Sequence, residues 1–398
     1  MRRDLYPAIG PVIAGALAIL LVDGAAVAAK SEAEKGPKPS GAGAAGPAAI
    51  EKAKWGEADG KEVDLYTLTN KNGMVVRFTD YGGLITEIDT PDRTGKKANV
   101  ALGFRSAGEY EARNGAYGFG SPIGRYANRI GGARFPLDGR ELAVAPNEGR
   151  NQLHGGPVGF DKRLWTLVSH TPTELVLSLV SEDGDQGYPG RMETTVRYRL
   201  GDDLSVHVEL SATVSAPCPV NLTNHAYFNL DGDAPAGDIR AHSLRIAAQQ
   251  FLPIDAESIP TGERRDVAGT GFDFRTPRPI GEALMRDEQQ QLTRGYDHSY
   301  WLDESCADGR APAAEVLSGD GRVTLALHTR LPALQFYSGN YLPGTPARTA
   351  GATYAQHAGF ALEPQYSPDT PNHPEWPGCV LRPGQRFEQA LHYVFTAR

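Results

Sequence analysis

A chain of 398 residues can hold one large domain or two ordinary ones, so length alone leaves the domain count open. A formal net charge of -8 provides no basic excess to neutralise phosphates. That argues against a nucleic-acid or anionic-membrane partner and for a neutral one.

The chain opens with "MRRDLYPAIGPVIAGALAILLVDGAAVAAK": a basic start at Arg2 and Arg3, an apolar run from about Ala8 to Val22, and the small residues Ala26, Val27 and Ala28. The run is short and broken by Gly and Pro, so residues 1–29 read as a cleaved secretory signal and the protein as exported, periplasmic or extracellular. An uncleaved N-terminal anchor is the competing reading. Residues 30–50 turn to Ala, Gly, Pro, Ser, Lys and Glu, a composition that builds no core and predicts a flexible linker.

From Val63 onward, short β-rich runs are separated by Gly, Asp, Asn and Pro turns. The clearest hairpin joins "METTVRYRL" (192–200) to "LSVHVELSATV" (204–214) through Gly201, Asp202 and Asp203, with polar and apolar residues alternating on both arms. "ELVLSLVSE" (174–182), "RVTLALHT" (322–329) and "ALQFYSG" (333–339) repeat the signal, and only "GEALMRDEQQQL" (281–292) looks helical. Closely spaced strands without alternating helices predict an all-β fold, a large antiparallel sandwich or barrel with few short helices. No break in composition divides residues 51–398, which read as one domain. The three cysteines, Cys218, Cys306 and Cys379, are widely spaced. An exported chain permits a disulfide, but the spacing selects no pair and suggests no metal site.

Several polar constellations interrupt the strands. "NLTNHAYFNL" (221–230) places Asn221, Thr223, Asn224, His225 and Asn229 among apolar neighbours. If unpaired, each buried polar group would cost roughly 1 to 3 kcal/mol, so a polar site at a cleft explains the cluster better than a lone core histidine. The sequon Asn221-Leu222-Thr223 lies in a strand, a poor place for a glycan. "NQLHGG" sets His154 before a Gly pair, either a turn or a close approach to a ligand. "GRYANRI" supplies Asn128 and Arg129, donors suited to sugar hydroxyls or simply to the surface. "YDHSYW" supplies Asp297, with an Asx-turn as the plain alternative. In "FALEPQYSPDTPNHPEWPG", Glu363 follows an apolar run and precedes Pro364, which favours an extended, partly desolvated carboxylate suited to a general base. An ordinary ion pair is the alternative. Metalloprotease, zinc-finger, serine-esterase and P-loop patterns do not occur.

Taken together, "GRYANRI", "NQLHGGPVGFDK", "DGDQGYPG", "NLTNHAYFNL", "DHSYW", "LQFYSGNYL" and "LEPQYSPDTPN" resemble, in order and spacing, the aldose 1-epimerases, or galactose mutarotases, over residues 63–395. The resemblance implies a galactose mutarotase-like supersandwich with an open sugar cleft, no cofactor and no metal. It implies Glu363 as general base, His225 as general acid, and Asn128, Arg129, His154, Asp297 and Gln335 as sugar ligands. Ser299 stands where many members carry Asn. The implied activity is interconversion of the α and β anomers of free aldohexoses such as glucose and galactose. The expected partner is therefore a small aldose, with no nucleic acid and, after signal cleavage, no membrane. The expected assembly is a monomer, with a dimer as the alternative. Two rivals remain: a glycoside hydrolase using Glu363 with Asp297, and a non-catalytic sugar-binding module.

Overall fold

A computed structural model describes residues 50–398. The proposed export signal (1–29) and all but the last residue of the linker (30–50) lie outside the described residues.

Three antiparallel sheets carry the architecture. The first strands, Glu51–Ala58, Lys61–Thr69, Val75–Thr79, Ile85–Pro91 and Lys97–Asn99, form a five-stranded meander. A nine-stranded sheet is centred on the hairpin Met192–Leu200 and Ser205–Val214 and on the C-terminal strand Phe387–Ala397. A six-stranded sheet takes the order Tyr227–Phe228, Phe360–Gln365, Ala333–Tyr337, Asp297–Leu302, Ala248–Phe251 and Arg265–Asp266.

Alternation along the strands builds the layers. In the hairpin, Val196, Tyr198, Val206, Val208 and Leu210 are buried while Arg197, Arg199 and Glu209 face outward. The inward face packs against the back of the six-stranded sheet, with Phe228 and Tyr393 rings 5.1 Å apart. The five-stranded sheet closes on the same core through Phe78 and Tyr198, whose rings are 4.6 Å apart. The all-β sandwich expected from the sequence is thus the observed class.

Among the described residues, α-helix is confined to two short elements, beside single 3-10 turns. The stretch 281–292 is a correction: only Glu288–Thr293 is α-helical, after a 3-10 turn at Ile280–Glu282. Met285 adopts φ 65°, which breaks a continuous helix, and Asp287 caps the later start by accepting from the Gln289 N–H. The other helix, Ala107–Arg113, was not anticipated; Ser106 caps it by accepting from the Glu109 N–H. The three cysteines are buried free thiols. Among the described residues, no helix is long and apolar enough to cross a membrane.

Candidate active site

One face of the six-stranded sheet carries most of the polar side chains. Antiparallel register sets Ser299 opposite Gln335 and Gln335 opposite Glu363, so three adjacent strands present a row of polar groups on one face. Two residues along, Asp297 shares that face, and its Oδ1 accepts a 2.7 Å hydrogen bond from Gln335 Nε2. The alternate residues Phe336, Phe360 and Leu362 turn into the core. "FALEPQ" is buried along its whole length: Phe360 and Leu362 pack into the core, and on the other face the His225 and His154 side chains come within 4.8 Å of the Glu363 carboxyl.

His225 reaches this face from the polar run 221–230, and its Nε2 lies 3.5 Å from Glu363 Oε1. The asparagines around it serve the backbone. Asn221 donates to the Ala127 and Tyr366 carbonyls and accepts from the Tyr366 N–H. Asn224 donates to the Gly120 carbonyl, and Asn229 to that of Ala358. They pin crossing segments to one another; they do not satisfy each other's side chains, and the Thr223 hydroxyl has no partner among the described residues. Asn221 is fully buried, which leaves no access for a glycan.

The remaining ligand candidates come from a two-residue strand pair, Arg129–Ile130 with Gln152–Leu153. Beyond it, His154 Nδ1 accepts from the Asn128 N–H at 3.1 Å, while the His154 N–H donates to the Asn128 carbonyl. This fixes the tautomer: a neutral His154 carries its proton on Nε2 and offers a donor. Its ring stands edge-on to His225, centroids 5.3 Å apart. Gly155 permits the approach, because at φ +82° an added Cβ would sit 2.0 Å from the Gly124 carbonyl oxygen. Arg129 is gripped bidentately by Glu148, with bonds of 2.6 and 2.8 Å.

All seven residues singled out in the sequence therefore lie together. Sequence reasoning missed Glu148, which sits in a loop with no motif. It also missed Tyr227, whose ring lies parallel to that of His225, although its i+2 position in an extended run signalled the same face.

Burial dominates the electrostatics. It pushes Glu363 well above the ordinary carboxyl range, helped by the negative charge of Asp297 and opposed by Arg129. Burial likewise raises Asp297, against Arg129 and the Gln335 hydrogen bond. His225 falls to about 4 through burial, and His154 falls well below the usual imidazole range through burial, then the positive charges of His225, Arg129 and Lys162. The pair Glu363 and His225 thus favours carboxylic acid with neutral imidazole, which holds the same single proton as carboxylate with imidazolium.

Ligand atoms of His154, His225 and Glu363 lie within 4.8 Å of one another, a grouping that could suit a metal ion. The His154 tautomer opposes this, since its Nε2 carries a proton for as long as Nδ1 accepts from Asn128. Glu363 Oε2 and Gln335 Oε1 are buried without a hydrogen-bond partner among the described residues, acceptors suited to the hydroxyls of a ligand.

The family model described as Aldose 1-epimerase matches residues 64–394. The chain belongs to the aldose 1-epimerase family. It is 45% identical to the aldose 1-epimerase of Escherichia coli K12 over 341 residues, covering 85% of this chain and 97% of the relative. It is 41% identical to the galactose mutarotase of Sus scrofa, covering 81% and 91% respectively. Among solved structures, an aldose epimerase homologue from C. elegans superposes with a TM-score of 0.76 at 30% identity, over 83% of this chain and 98% of that one. A galactose 1-epimerase from Lactobacillus acidophilus gives 0.75 at 28% identity, over 87% and 98%. This epimerase is accordingly an isomerase of carbohydrate metabolism with the galactose mutarotase-like fold.

Proposed function

We propose that the chain interconverts the α and β anomers of free aldohexoses such as glucose and galactose, with Glu363 as general base and His225 as general acid. One observation carries the assignment: a buried carboxylate and a buried imidazole, 138 residues apart in the chain, meet at 3.5 Å.

Anomer exchange requires the C1 hydroxyl to lose a proton while the ring oxygen gains one. Both oxygens are bonded to C1, so one base and one acid must flank a single carbon. Glu363 takes the C1–OH proton as imidazolium His225 protonates the ring oxygen and the C1–O5 bond breaks. Rotation about C1–C2 in the open aldehyde and reversal of the same transfers give the other anomer. Each positioned transfer contributes roughly 10²- to 10⁴-fold.

Ring opening leaves Glu363 protonated and His225 neutral, the arrangement that burial favours. Low polarity around the pair therefore makes the charged arrangement that precedes opening the minor one, so a group that stabilises it raises turnover. Asn128, Arg129, His154, Asp297 and Gln335 hold the other hydroxyls, keeping the open chain in place until it closes. The chain acts as a monomer, its site complete within one copy, and residues 1–29 direct export.

The test is polarimetry on fresh α-D-glucose and α-D-galactose, with spontaneous mutarotation subtracted. Glu363→Gln and His225→Asn should each lower kcat by at least 100-fold while circular dichroism stays that of the parent. Retained turnover in either variant overturns the roles. Cell fractionation tests export, which fails if the full-length chain stays with the cytosol.

A further inference from the structure

Tyr227 lies two residues beyond His225 in the same extended run, and its phenol ring is parallel to the imidazole: centroids 5.0 Å apart, planes 12° apart. The tyrosine is itself fixed. Phe119 meets it edge-on at 4.7 Å and Tyr337 at 5.8 Å. Its carbonyl accepts from the Leu102 N–H, and its strand pairs with Phe360–Gln365, placing Tyr227 opposite Ala361 and on the same face as Glu363. On the backbone side Gly118 lines the imidazole, where an added Cβ would stand in ordinary contact at 3.4 Å from Cδ2.

We propose that Tyr227 is a positioning residue for the acid: its ring sets the plane of the His225 imidazole and offers a π face that stabilises the imidazolium. An aromatic face within about 6 Å of a cation attracts it, more strongly where water is excluded. Tyr227 is 4% exposed. The charged and titratable groups facing His225 are Glu363 at 3.5 Å and His154 at 5.3 Å, with Asp297, Arg129 and Glu148 behind them. His154 is neutral and donates from Nε2, so the stack and Glu363 are the two neighbours that favour a charged His225. Without the stack, the carboxylate–imidazolium arrangement becomes rarer and kcat falls. The pair also accepts its second proton only at lower pH.

The inference rests on His225 being the acid, and Tyr227→Leu and Tyr227→Phe are the variants that test it. Leucine should lower kcat at least 10-fold with KM within about 3-fold, and should move the acid limb of the kcat/KM profile down by about half a pH unit or more. Phenylalanine, which keeps the ring, should restore both. A leucine variant with the parental profile, or a phenylalanine variant as impaired as leucine, overturns the stack. In the unaltered protein, the His225 ring-proton resonances should be displaced upfield by the Tyr227 ring current. Undisplaced resonances overturn the stack even if the leucine variant does not fold. An active His225→Asn would instead sink the acid assignment itself, which distinguishes the two failures.

Discussion

A single proton shared between Glu363 and His225 sets the pH range over which the site can turn over. Burial lowers His225 to about 4 and holds Glu363 well above the usual carboxyl range. Below about pH 4 the pair takes up a second proton, and no carboxylate remains to act as base. Above the raised value of Glu363 the last proton leaves, and no acid remains. The expected kcat/KM profile is therefore a bell whose acid limb lies near 4 and not near the usual 6.5 of histidine. A polarimetric profile with an acid limb at 6 to 7 would contradict the burial argument. Much of this site could be read from residue type and neighbourhood: Glu363 ahead of Pro364, and His225 inside a run too polar for a core strand. The proton balance could not be read, because it depends on how completely the strands and loops exclude water.

The turn that carries His154 toward the site has a measurable weak point. Gly155 and Gly184 adopt nearly the same φ, +82° and +81°, but an added methyl group meets the Gly124 carbonyl at 2.0 Å in the first and nothing within 4 Å in the second. Gly184→Ala should cost about 1 kcal/mol, the usual penalty of the conformation. Gly155→Ala should cost about 1–3 kcal/mol more through steric strain, and should raise KM by displacing His154. Equal unfolding midpoints for the two variants would show that the close approach is unimportant. On the outer face of the nine-stranded sheet, His207 and His328 each stand directly opposite His392. Burial, then the neighbouring charges of His392 and Arg199, bring His207 to about 4, and burial also lowers His392. His207 and His392 take up protons near 6.5 only when unfolded, so their contribution to stability should be level above that pH and fall from 6.5 toward 4. His207→Gln should flatten part of that fall in urea melts at pH 7.5 and 4.5, and an unchanged slope would remove His207 from the cause. The hairpin at 192–214 was legible because alternation on two long arms is unambiguous. The segment 281–292 misled because its apolar spacing suits a helix, whereas Met285 turns left-handed and Asp287 restarts the winding.

At the scale of the whole molecule, the five-stranded sheet is tied to the segment that follows the site strand Ala333–Tyr337 by one partly buried arginine. Arg348 Nε meets Asp233 Oδ2 at 3.0 Å, and Nη1 donates to the Phe104 carbonyl at 2.8 Å and reaches Glu87 at 3.4 Å. Nη2 donates to the Thr86 carbonyl. Three distant stretches, residues 86–104, 233 and 348, thus converge on one guanidinium, beside the aromatic cluster that contains Phe119, Tyr227 and Tyr354. Nothing in "TPARTAG" marks that arginine, because its partners lie up to 262 residues away and form no local pattern. Removing it leaves Asp233, with 4% of its side chain exposed, holding its charge against two neutral side-chain donors, the Tyr354 hydroxyl and Asn99 Nδ2. An uncompensated buried charge of this kind costs about 3–5 kcal/mol, so Arg348→Met should lower the urea midpoint accordingly. Adding Asp233→Asn removes the stranded charge, and the double variant should recover part of the loss, a coupling read from the mutant cycle. If the single variant melts within about 0.5 kcal/mol of the parent, or the two losses simply add, the arginine is an ordinary surface ion and the sheets are held by apolar packing alone.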